Sequence, residues 1–210
     1  MSRPAPSLIA VLAAFATVYV VWGSTYLAIR FAIETLPPLM MAGTRFAIAG
    51  VLLYGIVRAR GAEAPSRTHW RTAAIVGALL LAAGVGTTTW AIQLIPSGIA
   101  ALLVATLPMW MVFIDSVRQR TWPSGTVAAG IVLGLVGVAV LIGPSDLGSE
   151  PVNLVGALAV LAAVFSWSLG SVYQRGAETA PSTLLNVAMQ MLIGGVILVG
   201  VGFLLGERPM

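Results

Sequence analysis

The sequence predicts an all-α polytopic membrane protein with seven transmembrane helices. Of its 210 residues, 59% are hydrophobic and only 9% are charged, whereas an average soluble domain has about 25% charged residues. The mean hydropathy is +0.98. The apolar residues are gathered in seven stretches, each close to the roughly 20 residues that a helix needs to cross the hydrocarbon core.

The seven predicted spans are separated by polar joints or by joints that contain Pro and Gly. The first runs from Leu8 to Ile29 without a charge and lacks an A-x-A cleavage site before a polar segment, so we interpret it as an uncleaved span and not as a signal peptide. In chain order the predicted spans are 8–29, 38–58, 72–94, 98–116, 125–143, 152–173 and 183–205.

Two prolines shape the fourth span. Pro96 begins it and is followed by Ser97 and Gly98, which favours a tight helical hairpin with the third span. The alternative is a helix N-terminus that attracts an anionic substrate group. Pro108 lies in the middle of the span and predicts a kink, which would act as a gating hinge or simply shape the wall.

The fifth span carries the G-x-x-x-G pattern, with Gly130 and Gly134 followed by Gly137. Such a face permits a close helix crossing. The crossing would lie within one protomer or between the protomers of a homodimer, and the first interpretation is the simpler one.

Arginine distribution predicts the orientation. All 11 basic residues are Arg, and arginines in short loops mark the cytoplasmic side. Arg30 and Arg208 would lie outside and Arg45 within a span. With a cytoplasmic N-terminus, the inner side holds Arg3, Arg58, Arg60, Arg67, Arg71, Arg118, Arg120 and Arg175. This bias predicts that the N-terminus is cytoplasmic and that the arginines meet anionic lipid headgroups, with no nucleic acid partner.

Composition also excludes several chemistries. The chain has no Lys, no Cys and one His, His69, so it can build no P-loop lysine, Schiff base, thiol nucleophile or His-built metal site. We therefore predict no cofactor and no metal. Its acidic residues lie in loops or near span ends, and Asp115, the nearest to a span interior, is interpreted as an interfacial ion pair beside Arg118. A buried carboxylate relay for protons is not evident.

A weak internal repeat has an offset of 145 residues. The stretches WGSTYLAIR (22–30) and WSLGSVYQR (167–175) both begin with Trp and end with Arg. The alternative is that the similar composition of apolar helices produces such matches. Identical residues at the offset include Trp22 and Trp167, Arg30 and Arg175, and Gly50-Val51 and Gly195-Val196. A unit of this length contains five spans, and an odd number gives the second copy the opposite orientation, as in many transporters.

Three stretches together resemble EamA-type permeases of the drug/metabolite transporter (DMT) superfamily. They are VVWGSTYLAIRFAIETLPPLMMAGTRFAIAG (20–50), PSGIAALLVATLPMW (96–110) and FSWSLGSVYQR (165–175). The resemblance implies a ten-helix fold of two inverted five-helix repeats, with residues 1–147 as a complete first repeat and 148–210 as the first two helices of the second. This chain would then be a fragment, or a partner would supply the rest.

The same resemblance implies a multi-pass transporter of the bacterial inner membrane. Its substrate would be a small metabolite, an amino acid or a drug. Relatives often carry Glu where this chain has Ile92, so any role of that carboxylate in binding cations or protons is missing here.

The candidate substrate-binding residues lie within or beside the spans. Arg45 lies roughly 10 Å inside the second span, where a charge is costly and often functional; the alternatives are a pair with Glu34 or snorkelling to the interface. Trp22, Trp90 and Trp167 are placed towards the bundle interior, because an indole N–H needs an acceptor that lipid does not supply. Plain helix packing is their alternative, whereas Trp70, Trp110 and Trp122 are assigned to span ends.

Small polar side chains complete the candidate site. Hydroxyls and amides beside these tryptophans would line a polar route, or would form ordinary interhelical hydrogen bonds worth about 1 kcal/mol or less each. They are Ser24, Thr25, Tyr26, Gln93 and Ser97, with Gly98 beside them.

Two other hypotheses compete with transport. A polytopic enzyme acting on lipid-linked substrates would need paired carboxylates, and the nearest pair is Asp146 and Glu150 in a predicted outer loop. The third hypothesis is a non-functional remnant.

Overall fold

The computed structural model describes residues 7–142 and 153–208. Within them the chain forms seven helices. They are α1 (Leu8–Ala32), α2 (Pro38–Ala59), α3 (Arg67–Ala91), α4 (Ser97–Gln119), α5 (Gly125–Ile142), α6 (Leu154–Gly176) and α7 (Thr183–Leu204). Six are long and apolar enough to cross a membrane, and the apolar part of α5 is shorter. The predicted fold class, an all-α polytopic membrane protein, is confirmed.

α3 begins five residues earlier than predicted, at Arg67 instead of residue 72. The side chain of Ser66 accepts a hydrogen bond from the backbone N–H of His69 at 3.1 Å, and Nδ1 of His69 accepts one from the backbone N–H of Ser66 at 3.2 Å. This reciprocal capping starts the helix before the apolar run. Hydropathy marks only the part of a helix that lies in hydrocarbon. α6 likewise extends beyond its predicted end at residue 173, to Gly176.

Two spans depart from regular α-helix. α3 contains a π-helical segment, Gly77–Gly86, which the sequence analysis did not predict. α4 is broken between Ser97–Val104 and Leu107–Gln119. The break lies where Pro108 predicted a kink, because proline has no N–H to donate to the carbonyl of Val104, four residues earlier.

α2 and α7 cross in direct backbone contact at glycines. A Cβ atom built on Gly50 would lie 2.7 Å from the backbone N of Leu192, and one built on Gly195 would lie 2.5 Å from the backbone N of Ala47. Gly50 and Gly195 are equivalent at the 145-residue offset, and so are Ala47 and Leu192. The contact is therefore isologous: Gly50 contacts the backbone of Leu192, and Gly195 contacts the backbone of Ala47, the residue equivalent to Leu192.

This reciprocity supports the internal repeat and places a pseudo-two-fold axis through the α2–α7 crossing. Gly50 is also close to the carbonyl oxygen of Ala188, at 3.1 Å from the built Cβ, and Gly195 is close to that of Gly43, at 2.8 Å. Gly43 and Ala188 again differ by 145 in number. The predicted boundary between the repeats, at residues 147 and 148, lies outside the described residues and stays a prediction.

Polar contacts join the helices at both ends of the bundle. We call the end where α2, α4 and α6 finish the arginine-rich end. There Arg175 Nη1 donates to Asp115 Oδ2 at 2.8 Å, and His69 Nε2 lies 3.4 Å from Glu178 Oε1. At the opposite end Arg30 Nη1 donates to the carbonyl oxygen of Ile92 at 2.8 Å, which caps the C-terminus of α3 with a cation.

The N-terminus of α2 is capped by a residue that follows α7. Oε1 of Glu207 accepts from the backbone N–H of Leu39 at 3.1 Å, and Oε2 accepts from that of Met40 at 2.8 Å. Pro38 before them has no N–H, and the N–H of Met41 bonds to Pro37, so the carboxylate completes the first turn. A negative charge at a helix N-terminus is stabilising.

We expect Glu207→Gln to lower the free energy of unfolding by about 1 kcal/mol. The amide keeps one acceptor but turns an NH2 group towards a backbone donor and removes the charge. Thermal unfolding of the purified protein measures the change. Glu34→Gln is the control, because Glu34 is exposed and its side chain makes no hydrogen bond within the described residues; equal shifts for the two variants would contradict the capping role.

Candidate functional site

A cavity of about 390 Å³ lies between α1, α4 and α6. We call it the tryptophan cavity, since two tryptophans form one of its walls. None of the described residues that line it is charged. They are Trp22, Gly23, Tyr26, Ala101, Val104, Ala105, Leu107 and Trp167.

Trp22 and Trp167 meet at this cavity. Their ring centroids are 6.0 Å apart and the ring planes are inclined at 34°, within the range of favourable aromatic pairs. These two residues are equivalent at the 145-residue offset, so they lie on either side of the pseudo-two-fold axis. Trp22 is 53% exposed, which leaves its other face free for a ligand.

The broken helix α4 forms another wall, and the irregular helix α3 supports the cavity from behind α6. The π-helical segment of α3 approaches α6 so closely that a Cβ on Gly84 would lie 3.4 Å from the Cβ of Trp167, which holds the Trp167 backbone in place. Val104 and Leu107 flank the break in α4 and line the cavity. Because Pro108 cannot donate to it, the carbonyl of Val104 lacks its usual helical donor.

The predicted hydroxyl residues Ser24 and Thr25 lie on α1 outside the lining. Ser24 Oγ donates to the carbonyl oxygen of Val20 at 2.7 Å, and Thr25 Oγ1 donates to that of Val21 at 2.6 Å. Both donors are thus satisfied by the backbone of their own helix, and not by the interhelical hydrogen bonds named as the alternative. Tyr26, on the next position of α1, does line the cavity.

Arg45 also lies outside the lining. Its Cζ is 4.9 Å from the ring centroid of the adjacent Phe46, a cation–π distance. Within the described residues no carboxylate lies within 4.0 Å of it, so the alternative pair with Glu34 is not formed. The side chain is exposed on α2, and a role in substrate binding stays a prediction.

The other predicted residues lie near the end of the bundle opposite the arginines. Trp90 is half-buried and packs against core residues of the bundle. Gln93 Nε2 donates to the carbonyl oxygen of Trp90 at 3.1 Å. Ser97 is half-buried, and Gly98 has open space where a Cβ would lie. The structure does not bring these four residues to the tryptophan cavity.

One tryptophan lies where the sequence analysis did not place it. Trp110, assigned to a span end, lies in the middle of α4 because this helix runs on to Gln119. Its ring meets that of Phe165 edge-on at 5.2 Å. Its Nε1 is buried without a hydrogen-bond partner in the described part of the chain. The ring therefore packs inside the bundle.

Five cavity residues escaped the sequence analysis: Gly23, Ala101, Val104, Ala105 and Leu107. Apolar side chains in an apolar span carry no chemical signal, and only Pro108 pointed to this part of α4. Within the described residues there is also no cluster of three or more His, Cys, Asp or Glu that would hold a metal ion.

Fold and site together define a class: a polytopic helical membrane protein with an uncharged, tryptophan-lined cavity between three of its helices. The chain belongs to the EamA-like transporter family, which it matches over residues 8–143. The family predicted from the sequence is confirmed. No solved structure matches the chain significantly.

Relatives carry the names of transporters. The "Uncharacterized inner membrane transporter YedA" of Escherichia coli K12 is 38% identical over 96% of this chain, and the chain spans 64% of its length. The "Uncharacterized transporter YoaV" of Bacillus subtilis 168 is 26% identical over 96% of the chain and 70% of its own length. The "Probable amino-acid metabolite efflux pump" of Escherichia coli K12 is 27% identical, over 84% of the chain and 58% of its own length.

Proposed function

We propose that the protein is a secondary transporter of the bacterial inner membrane that exports small metabolites, amino acids or drugs. Its substrate site would be the tryptophan cavity, reached alternately from the two sides of the membrane. Membership of the EamA-like family and the inner-membrane relative support this class of activity. The pump named for amino-acid metabolites supports the substrate class.

The observation that carries the proposal is the Trp22–Trp167 pair. It joins equivalent positions of the two repeats, where inverted-repeat transporters hold their substrates near the midplane. Any rocking of one repeat against the other changes this contact directly. A cavity with such a wall can therefore be opened to one side and closed to the other.

The lining favours a substrate with an apolar part and a group that donates hydrogen bonds. Tryptophan faces attract apolar and cationic groups, and the carbonyl of Val104 would accept from an amine. No described lining residue is a cation, so a substrate carboxylate would need a partner elsewhere, for which Arg45 on α2 is the candidate.

The distribution of the arginines indicates which end of the bundle faces the cytoplasm. Seven of them, Arg58, Arg60, Arg67, Arg71, Arg118, Arg120 and Arg175, lie at the arginine-rich end, against Arg30 and Arg208 at the other. With this end cytoplasmic, the N-terminus is cytoplasmic too.

Transport is favoured over the competing enzyme hypothesis. The family and the named relatives are transporters. The carboxylates on which the enzyme hypothesis depends, Asp146 and Glu150, lie outside the described residues.

Ala101→Leu tests the proposal. We expect uptake of radiolabelled apolar amino acids into inverted membrane vesicles that contain the protein to fall about tenfold, because an isobutyl side chain in place of the methyl group narrows the cavity. The matched control is Ala129→Leu, the same change at an exposed position of α5 that lines no described cavity. Unchanged flux in a correctly inserted Ala101→Leu protein, or an equal loss in the control, would contradict the assigned site.

A further inference from the structure

A second cavity, of about 620 Å³, lies at the arginine-rich end between the start of α3, the end of α4 and the end of α6. It shares no lining residue with the tryptophan cavity. We call it the arginine vestibule, because two arginines from different helices line it. Its polar lining residues are Thr68, Arg71, Thr72, Arg118, Tyr173 and Glu178.

The carboxylates near the vestibule have partners other than Arg71 and Arg118. Asp115 binds Arg175, with 2.8 Å between Oδ2 and Nη1. Glu178, on the rim, lies 3.4 Å from Nε2 of His69. In the part of the chain that the structure describes, no carboxylate therefore lies within 4.0 Å of Arg71 or Arg118.

Arg118 is held in place with most of its donors unused. Its Nη1 donates to the carbonyl oxygen of Val172 at 3.4 Å, and its guanidinium lies against Gly176, where a Cβ would be 2.7 Å from Nη2. A guanidinium has five N–H donors. Since the end of α6 fixes the group and takes one donor, the others remain for a ligand.

The N–H donors of the Arg71 guanidinium are likewise available to a ligand. Within the described residues its side chain makes no hydrogen bond and no ion pair, and it lies one helical turn from the hydroxyl of Thr68 on the same side of α3. Tyr173 adds another hydroxyl from α6. The vestibule thus combines two positive charges and neutral donors with one carboxylate, that of Glu178, which lies against His69, in a space large enough for a small molecule.

We propose that the arginine vestibule binds an oxyanion, a carboxylate or a phosphate, between Arg71 and Arg118. Guanidinium groups match both anions geometrically and form charge-assisted hydrogen bonds with them. The anion is carried by a soluble molecule or by the headgroup of an anionic lipid. Binding here does not depend on the transport proposed above and is measured without flux.

The test uses the purified protein in nanodiscs of phosphatidylcholine. Inorganic phosphate is titrated against choline chloride at equal ionic strength, and a parallel sample contains phosphatidylglycerol in the disc. We expect the thermal unfolding midpoint to rise with one of these probes. Stabilisation by inorganic phosphate would identify a site for soluble anions, and stabilisation by phosphatidylglycerol alone would identify a headgroup site.

Arg71→Gln is the decisive variant, because Arg71 holds no internal contact whose loss would unfold the protein. We expect its apparent affinity for the active probe to be about tenfold weaker. Arg118→Gln should show the same weakening, with a lower midpoint from the lost contact to α6. Arg67→Gln, at the same end of α3 but outside the lining, should bind as the unmodified protein does.

Two results would overturn the proposal. One is an unfolding midpoint that responds to neither probe. The other is an equal loss of affinity in Arg67→Gln and Arg71→Gln, which would show a general effect of surface charge.

Discussion

Gly195→Ala will lower the free energy of unfolding by about 1–3 kcal/mol, the range for overpacking a filled interior. The new methyl group would lie 2.5 Å from the backbone N of Ala47 and 2.8 Å from the carbonyl oxygen of Gly43. Backbone atoms cannot turn aside as a flexible side chain can, so α2 and α7 must separate. Thermal or denaturant unfolding in detergent of constant composition measures the effect.

Gly200→Ala on the same helix is the matched control. No atom lies within 4 Å of a Cβ built on Gly200, and alanine favours helix over glycine by about 0.5–1 kcal/mol. This variant should therefore be neutral or slightly more stable. If the two alanine variants behaved alike, the close crossing of α2 and α7 would be disproved.

Trp22→Ala and Trp167→Ala will each reduce transport about tenfold or more while leaving insertion intact. Each change removes one aromatic wall of the tryptophan cavity and leaves the other ring without its partner. The measurement is initial flux in proteoliposomes at matched protein content. Trp122→Ala is the control for loss of a tryptophan as such, because Trp122 is 97% exposed after the end of α4.

The double variant separates a joint site from two independent contributions. If the two rings bind the substrate as a unit, removing both costs little more than removing one, and the effects are far from additive. Fully additive losses would mean that the tryptophans act apart from each other. Flux unaffected by either single change would remove the cavity from the mechanism.

The helices were predictable from the sequence because each crossing must be apolar over its hydrocarbon length. Their ends were less so: hydropathy cannot register the capping of α3 by Ser66 and His69, which extends the helix into a polar stretch. The π-helical segment Gly77–Gly86 has no proline or polar residue to announce it. The bond between Glu207 and the start of α2 joins residues too far apart in the chain for local patterns to reveal.

The candidate site was predictable from the sequence only where it contains residue types that are unusual within a membrane span. Tryptophans within spans stand out, and the repeat relates Trp22 to Trp167, which the structure brings into contact. Hydroxyls such as those of Ser24 and Thr25 are ambiguous, because the helix backbone competes for them. The alanine and valine walls depend on helix packing and had no signal.

The reciprocal contact at Gly50 and Gly195 also bears on how such a chain can change over generations. A single five-helix unit could make this contact only by meeting a second molecule inserted in the opposite orientation. In such a pair of identical molecules, one mutation at the glycine would change both helices of the crossing at once. With α2 and α7 on one polypeptide the two positions mutate separately, so a bulkier residue on one helix can be accommodated by a smaller one on the other.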